Sequence, residues 1–346
     1  LRGEKIGGDE YAFRQAVDTF AKNIGLKVAG MDEFELKTGV VNVAGSEVSF
    51  SMGKAEGLYM DQKFRVYEKE KRGDEIIEKK KGFFYVRKIG DNTPDERGFR
   101  KDELSRGKLI IRGAEPGMDV REVPTTNIDL SIRFRTGGVN IKSGFLSSDG
   151  CGLSVGEDVN SNIGALSGAF HYNTARYLKI PQLFATVGAD IGIAPVENVT
   201  IKPYNVWGSK EISLGTYMNF QCGLLKKFYI RRIAFYVEPL MGLQIFELRI
   251  FDISGEYDQK NRTSFSNKSK AFLVNSGVEF ALREDINIGF FTIFRFPIGE
   301  QNLWSGYYKP DKGEKIELFS DFMGPDVAYP NPFLGVYFNY SLPTFY

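Results

Sequence analysis

The chain has 346 residues and its charges nearly cancel, 45 Lys+Arg against 44 Asp+Glu. It therefore lacks the basic excess with which a nucleic-acid binder neutralises phosphates. Aromatic residues make up 14%, and 38 Gly stand against 13 Pro, a profile of strands and tight turns that excludes a disordered chain. Mean hydropathy is −0.25 and no apolar run approaches the ~20 residues of a membrane helix. A membrane barrel stays open, because its lipid-facing and lumen-facing residues alternate and cancel in any average.

In chain order, Leu1-Arg2-Gly3-Glu4 has neither the apolar core of a signal peptide nor a leading cysteine for lipid attachment, so a processed or trimmed form is expected. Residues 9–25 read as an amphipathic helix: Phe13, Val17, Phe20 and Ile24 share one face, Asp9 can cap its start and Gly25 can end it. From Glu35 to Glu122 the period changes to that of short strands. Val48, Phe50 and Met52 alternate with polar residues, followed by Phe64-Arg65-Val66-Tyr67, Phe83-Phe84-Tyr85-Val86 and Leu109-Ile110-Ile111. Residues 68–81 are charged and read as a solvated hairpin tip, while Gly90-Asp91-Asn92 and Glu115-Pro116-Gly117 read as turns. Residues 1–122 are thus expected to be an α+β, mostly β domain, with residues 123–127, including Pro124, as a linker.

Residues 128–346 are regular. Ile128, Leu130, Ile132 and Phe134 alternate with Asp129, Ser131, Arg133 and Arg135, and seven later segments repeat the pattern, ending with Leu334, Val336, Phe338, Tyr340 and Leu342. About eight strands of roughly ten residues suit a tilted membrane crossing. The expected connections alternate in length: 174–180, 225–232 and 283–285 are short, whereas 138–162, 194–209, 251–268 and 298–331 are long and polar. Outer-membrane barrels pair short periplasmic turns with long outside loops. Tyr177, Phe228 and Tyr229 beside Arg176, Lys179, Lys226 and Lys227 suit a headgroup boundary. The fold expected is mainly β: an eight-stranded antiparallel transmembrane barrel with both ends in the periplasm, preceded by a periplasmic domain.

The face assigned inward carries Asp129, Arg133, Arg135, His171, Asp190, Gln221, Glu238, Asn275, Glu279 and Arg295. An eight-stranded barrel is just wide enough for side chains to fill it, and buried charges need partners. Arg133, Arg135 and Arg295 are therefore expected to meet Asp190, Glu238 and Glu279 in a plugged lumen, with Asp129 on the same face; a narrow gated pore is the alternative. His171 is the single histidine, read as an interior residue, although a triad with Ser167 or Ser213 and Asp190 is conceivable. No nucleophile-elbow, zinc-protease, phosphate-loop or CxxC pattern occurs. Cys151 and Cys222 match no metal spacing and read as two thiols, with a single disulfide in an oxidising compartment as the alternative. Asp149, Glu157 and Asp158 are too sparse for a calcium loop. No catalytic, cofactor or metal residue is assigned.

The last strand, with Phe338, Tyr340, Leu342 and Tyr346 on one face, resembles the C-terminal signal that the barrel-assembly machinery reads in outer-membrane proteins. Residues 128–346 resemble, more generally, the small OmpA/OmpX-like and PorT-like barrels. Residues 40–122 resemble the C-terminal domain of the flagellar assembly protein T family. The carriers are Val43-Ala44-Gly45-Ser46-Glu47-Val48, Gly57-Leu58-Tyr59-Met60-Asp61-Gln62, Phe64-Arg65-Val66-Tyr67-Glu68, Gly82-Phe83-Phe84-Tyr85-Val86-Arg87-Lys88-Ile89 and Glu115-Pro116-Gly117-Met118-Asp119-Val120. The charged insertion 68–81 and the long stretch 92–106 depart from that family's pattern. The resemblance implies a periplasmic binding or assembly module without catalysis.

These readings lead to an expected non-enzymatic outer-membrane protein whose barrel anchors a periplasmic docking domain within a larger envelope complex. The expected partners are other outer-membrane or periplasmic proteins, the lipid bilayer and lipopolysaccharide, and the assembly machinery during biogenesis. A small pore or transport accessory, and a lipid-modifying enzyme built on His171, are the alternatives.

Overall fold

The computed structural model describes residue 17 and residues 36–73, 75–99, 101–148, 150–204, 208–253, 260–310 and 313–343. The expected helix 9–25, apart from Val17, and the terminal Tyr346 lie outside the described residues. The chain divides into two units, Leu1–Thr126 with Leu342–Tyr346, and Asn127–Ser341.

The first unit contains β1 (Lys37–Ala44), β2 (Glu47–Phe50), β3 (Lys63–Arg72), β4 (Glu75–Lys88), β5 (Ser105–Ile111) and β6 (Asp119–Glu122). They close into a six-stranded barrel in the order β1-β2-β5-β4-β3-β6. Its core holds Val40, Val48, Phe50, Phe64, Val66, Phe84, Val86, Leu109 and Val120, and the rings of Phe50, Phe64 and Phe84 lie 5.3–5.7 Å apart. Every strand contributes at least one large apolar residue to this core, which is why the closed form suits the sequence. The charged stretch 68–81 is more ordered than a tip. β3 and β4 stay paired from Lys63↔Tyr85 out to Arg72↔Glu75, whereas β6 accompanies β3 only as far as Tyr67. Beyond that point the ribbon is held by cross-strand ion pairs, Lys79–Glu70 and Lys81–Glu68 at 2.6 Å.

The second unit begins in β7 (Thr125–Ile141), so only Val123 and Pro124 of the expected linker lie outside strands. There follow β8 (Gly144–Ser148), β9 (Cys151–Val155), β10 (Val159–Asn173), β11 (Leu183–Lys202), β12 (Lys210–Ile230), β13 (Ile233–Ile253), β14 (Lys260–Ala281), β15 (Ile286–Ile298), β16 (Leu303–Lys309), β17 (Ile316–Met323), β18 (Val327–Ala328) and β19 (Phe333–Pro343). Eight of them pair in the order β10-β7-β19-β15-β14-β13-β12-β11, and β10 also pairs with β11. The path thereby returns to its start, with every neighbour antiparallel.

The period of two decides which side chains face in. On β7, Ser131, Arg133 and Arg135 are buried while Ile132 and Phe134 are exposed. The short connections are a single helical turn, Ala175–Leu178, between β10 and β11, the pair Arg231 and Arg232 between β12 and β13, and 282–285 between β14 and β15. Residues 225–230 are thus strand rather than turn.

The four long connections expected as polar loops are largely strand as well. β11 through β14 run past the ring. There β9 pairs with the far end of β11 and β8 with β9, while β16 pairs with the far end of β14 and β17 with β16. β8 and β17 approach each other. This crown has an apolar core of Leu153, Ile201, Ile212, Phe246, Leu248, Phe265, Trp304 and Phe319. The indole Nε1 of Trp304 donates to the Pro325 carbonyl at 2.8 Å. Inward positions of β13 are mixed within the ring, Glu238, Leu240 and Gln244, and wholly apolar beyond it, Phe246, Leu248 and Ile250, so the crown strands bury apolar side chains in place of solvated loops.

Candidate functional site: the filled interior

Inside the ring, side chains from all eight strands meet. Arg133 on β7 forms a fork with Glu238 on β13, Nη1 donating to Oε2 at 2.8 Å and Nη2 to Oε1 at 3.1 Å, the planar arrangement a guanidinium makes with a carboxylate. Asn275 on β14 donates to the same carboxylate at 2.5 Å. One layer away Arg135 donates to Asp190 on β11 and to the Tyr217 hydroxyl at 3.0 Å, and Asn219 donates to Asp190 at 2.6 Å. Glu238 is fully buried and Arg135 is 2% exposed. Such charges are tolerated because each is both paired and hydrogen-bonded.

Two expectations need correcting. Among the described residues Arg295 meets no carboxylate: its guanidinium donates to Gln244, Ser269 and Gln301 and lies 4.5 Å from the Tyr329 ring centre. It sits at the level where the interior turns apolar, and amide oxygens and a ring face surround it there. Glu279 pairs instead with Lys227, at 2.8 Å, and accepts from the hydroxyls of Tyr229 and Tyr337 at 2.7 and 2.9 Å. Lys227 and Tyr229, expected at a headgroup boundary, point inward because β12 continues to Ile230 and odd positions of that strand face the interior. Asp129 lies 3.8 Å from Lys227 and accepts from Asn339 at 3.2 Å. Lys227 and Tyr229 fall on the inward alternation of β12, a signal the sequence carries once the strand end is placed correctly.

His171 meets neither Ser167 nor Asp190, and Ser213 is exposed. Its Nε2 lies 2.8 Å from Ser131 Oγ and 3.1 Å from Arg133 Nη2, its Nδ1 2.9 Å from Thr186 Oγ1 and 3.6 Å from Glu238 Oε1. A guanidinium only donates, so Nε2 accepts from it and Nδ1 carries the ring proton to Thr186. Ser131, His171 and Glu238 thus have the outline of a nucleophile, base and orienter. However, the lone pair a general base would use is engaged by Arg133, and Ser131 also reaches Asn339 Oδ1 at 2.8 Å. The cavity beside them, lined by Ser131, His171, Lys227 and Tyr337, measures about 10 Å³, the room of one water molecule. Among the described residues no cluster of His, Cys, Asp and Glu could hold a metal.

The outer face of the same strands is the reverse of the interior. Ile132, Phe134, Leu166, Phe170, Phe220, Phe228, Phe235, Phe290, Phe294 and Leu334 are exposed, Phe290 by 72%. On the last strand Leu334, Val336 and Phe338 point outward, while Tyr340 and Leu342 are half-buried. A continuous apolar band of this extent exceeds what water-soluble monomers show.

No known protein family and no curated protein matches the chain by sequence, so the likeness of residues 40–122 to the flagellar assembly protein T family is not carried by comparison. Among solved structures, a major outer membrane protein from Thermus thermophilus is similar at 9% identity and a TM-score of 0.33, over 62% of this chain and 99% of that one. The outer membrane protease OmpT from Escherichia coli is similar at 10% identity and a TM-score of 0.31, over 63% of this chain and 97% of that one.

Proposed function

We propose that the second unit is a transmembrane barrel of the bacterial outer membrane that serves as an anchor, and that the first unit is a periplasmic docking domain of a larger envelope assembly. The observation that carries the anchor reading is the contrast between the two faces of one ring of strands: apolar and exposed outside, paired charges and packed apolar residues inside. Strands of 13 to 22 residues in the ring, β12 to β15, exceed the ~10 residues that a tilted crossing needs. Both β7 and β19 have their outer chain ends at the side of the short turns, which suits a periplasmic entry and exit.

The docking reading is supported by the β3–β4 ribbon. Past Tyr67 its two strands pair, among the described residues, only with each other, and Ile76 near its tip is 67% exposed. Free strand edges and an apolar tip are features that recruit a partner strand or surface. Catalysis is not part of this reading, because the Ser131–His171–Glu238 group has no space for a substrate beside it.

The test is twofold. In planar bilayers the purified chain is expected to give no steady single-channel steps, and such steps would overturn the filled-anchor reading. Extracted in mild detergent, it is expected to bring envelope proteins with it, and a bare monomer would overturn the docking role.

A further inference from the structure

We propose that the outward face between β11 and β14 holds one anionic lipid of the leaflet nearer the crown, its acyl chain in a surface hollow and its phosphate on Lys270 and Lys268. This rests on the membrane reading of the second unit. The hollow has a volume of about 420 Å³ and is walled by Val187, Phe220, Met241 and Leu243, with Cys222 at its centre and Lys270 on its rim. Cross-strand register explains the shape. Val187, Cys222 and Met241 form one row and Phe220, Leu243 and Lys270 the next. The small thiol thus stands between two large side chains, and the ammonium stands at the crown end of a channel open along the strands.

Lys268 lies one outward position farther toward the crown, opposite Ile245. Both lysines are exposed, and among the described residues neither pairs with a carboxylate; Lys268 Nζ lies 3.4 Å from the Tyr307 hydroxyl. On the membrane side of Lys270 the rings of Phe272 and Phe296 lie 6.3 Å apart, the aromatic level at which a bilayer gives way to headgroups. Two cations that pair with no carboxylate among the described residues, joined to an apolar channel, complement an amphiphile with a negative head and a chain. A soluble anion would leave the hollow unfilled, and a zwitterionic lipid would leave the lysines unmatched. The adjoining outward hollow provides an internal contrast. At about 440 Å³ it is lined by Ile132, Leu166, Met218 and Phe220, among others, but by no cation, so it accepts any acyl chain without headgroup selection.

The experiment reconstitutes the full chain in mixed micelles of phosphatidylglycerol and phosphatidylcholine and reads retained lipid by native mass spectrometry, with inorganic phosphate alone as a competitor. The wild-type chain is expected to keep one phosphatidylglycerol with about tenfold preference. The double variant Lys268→Ala, Lys270→Ala is expected to lose that preference while keeping its fold, since both side chains are exposed. Cys222→Phe, which fills the hollow, is expected to lose the retained lipid. No preference in the wild type, an unchanged preference in the double-lysine variant, or displacement of the lipid by inorganic phosphate would each overturn the site. Failure of the chain to enter phosphatidylcholine vesicles at all would instead overturn the membrane reading on which the site rests.

Discussion

At the scale of single residues, the interior is a set of charges that depend on one another. Removing Glu238 leaves Arg133 buried without its carboxylate, so Glu238→Ala is expected to destabilise the second unit by about 3–5 kcal/mol, read from chemical unfolding in detergent. Replacing Arg133 and Glu238 together by Met should cost much less, because no orphan charge remains. Outside the ring, Asp91 illustrates a pH dependence. Hydrogen bonds from the Thr93 hydroxyl, at 2.6 Å, and then from its amide hold the Asp91 carboxyl below its ordinary value of 3.8. A carboxyl depressed in the folded state contributes stability above its unfolded value, and that contribution is lost as pH falls toward the folded value. Amide exchange at Thr93, corrected for its intrinsic rate, should therefore accelerate between about pH 5 and about pH 3, and Asp91→Asn should abolish that change. Most of the interior charges are legible in the sequence, because alternation assigns a face to each side chain within a strand; Lys227 is missed because its strand end is misplaced. Partners across the ring are not legible, since they depend on strand stagger: Arg295 faces Gln244 and Glu279 faces Lys227, pairings that no local spacing encodes.

At the scale of elements, the strands can be read but their ends cannot. The connection between β12 and β13 reads as residues 225–232, yet strand pairing persists to Ile230↔Ile233 and the turn is only Arg231 and Arg232. Arg231 adopts φ of 58°, a left-handed conformation that costs a side-chain-bearing residue about 1–2 kcal/mol. Arg231→Gly is accordingly expected to raise stability by about 1 kcal/mol, seen as a shifted unfolding midpoint. A basic pair with no Gly or Asn gives no turn signal, which is why sequence alone misplaces the boundary. Gly137 is the opposite case. A Cβ there would lie 2.1 Å from the Phe333 ring, which itself packs beside Arg135 at 5.3 Å. Gly137→Val should cost about 1–3 kcal/mol through overpacking and lower the temperature at which the unboiled, fast-migrating form is lost on gels. The crown strands escape sequence reading for a related reason: Leu146, Leu153 and Val155 alternate over only a few residues each, too briefly to stand out among Gly, Ser and Asp neighbours.

At the scale of the whole molecule, the proposed docking and anchoring roles can be tested separately. Ile76→Asp, at the tip of the β3–β4 ribbon, is expected to reduce co-purifying envelope proteins severalfold while leaving heat-modifiable gel migration unchanged; loss of both together would argue that the ribbon serves folding instead. The ring strands are longer than most of those before Asn127 while keeping the same period of two, whereas the closure of each unit requires pairings distant in sequence. The crown has a mechanical consequence. Its central beams, β11 to β14, are the same uninterrupted strands that line the ring, each about 20 residues or ~65 Å long. A pull on the crown along these beams loads their ladders in shear, where many hydrogen bonds must yield at once, and cannot unzip them one by one. A load applied there is shared along whole ladders of β11 to β14 and is not concentrated at a single rung.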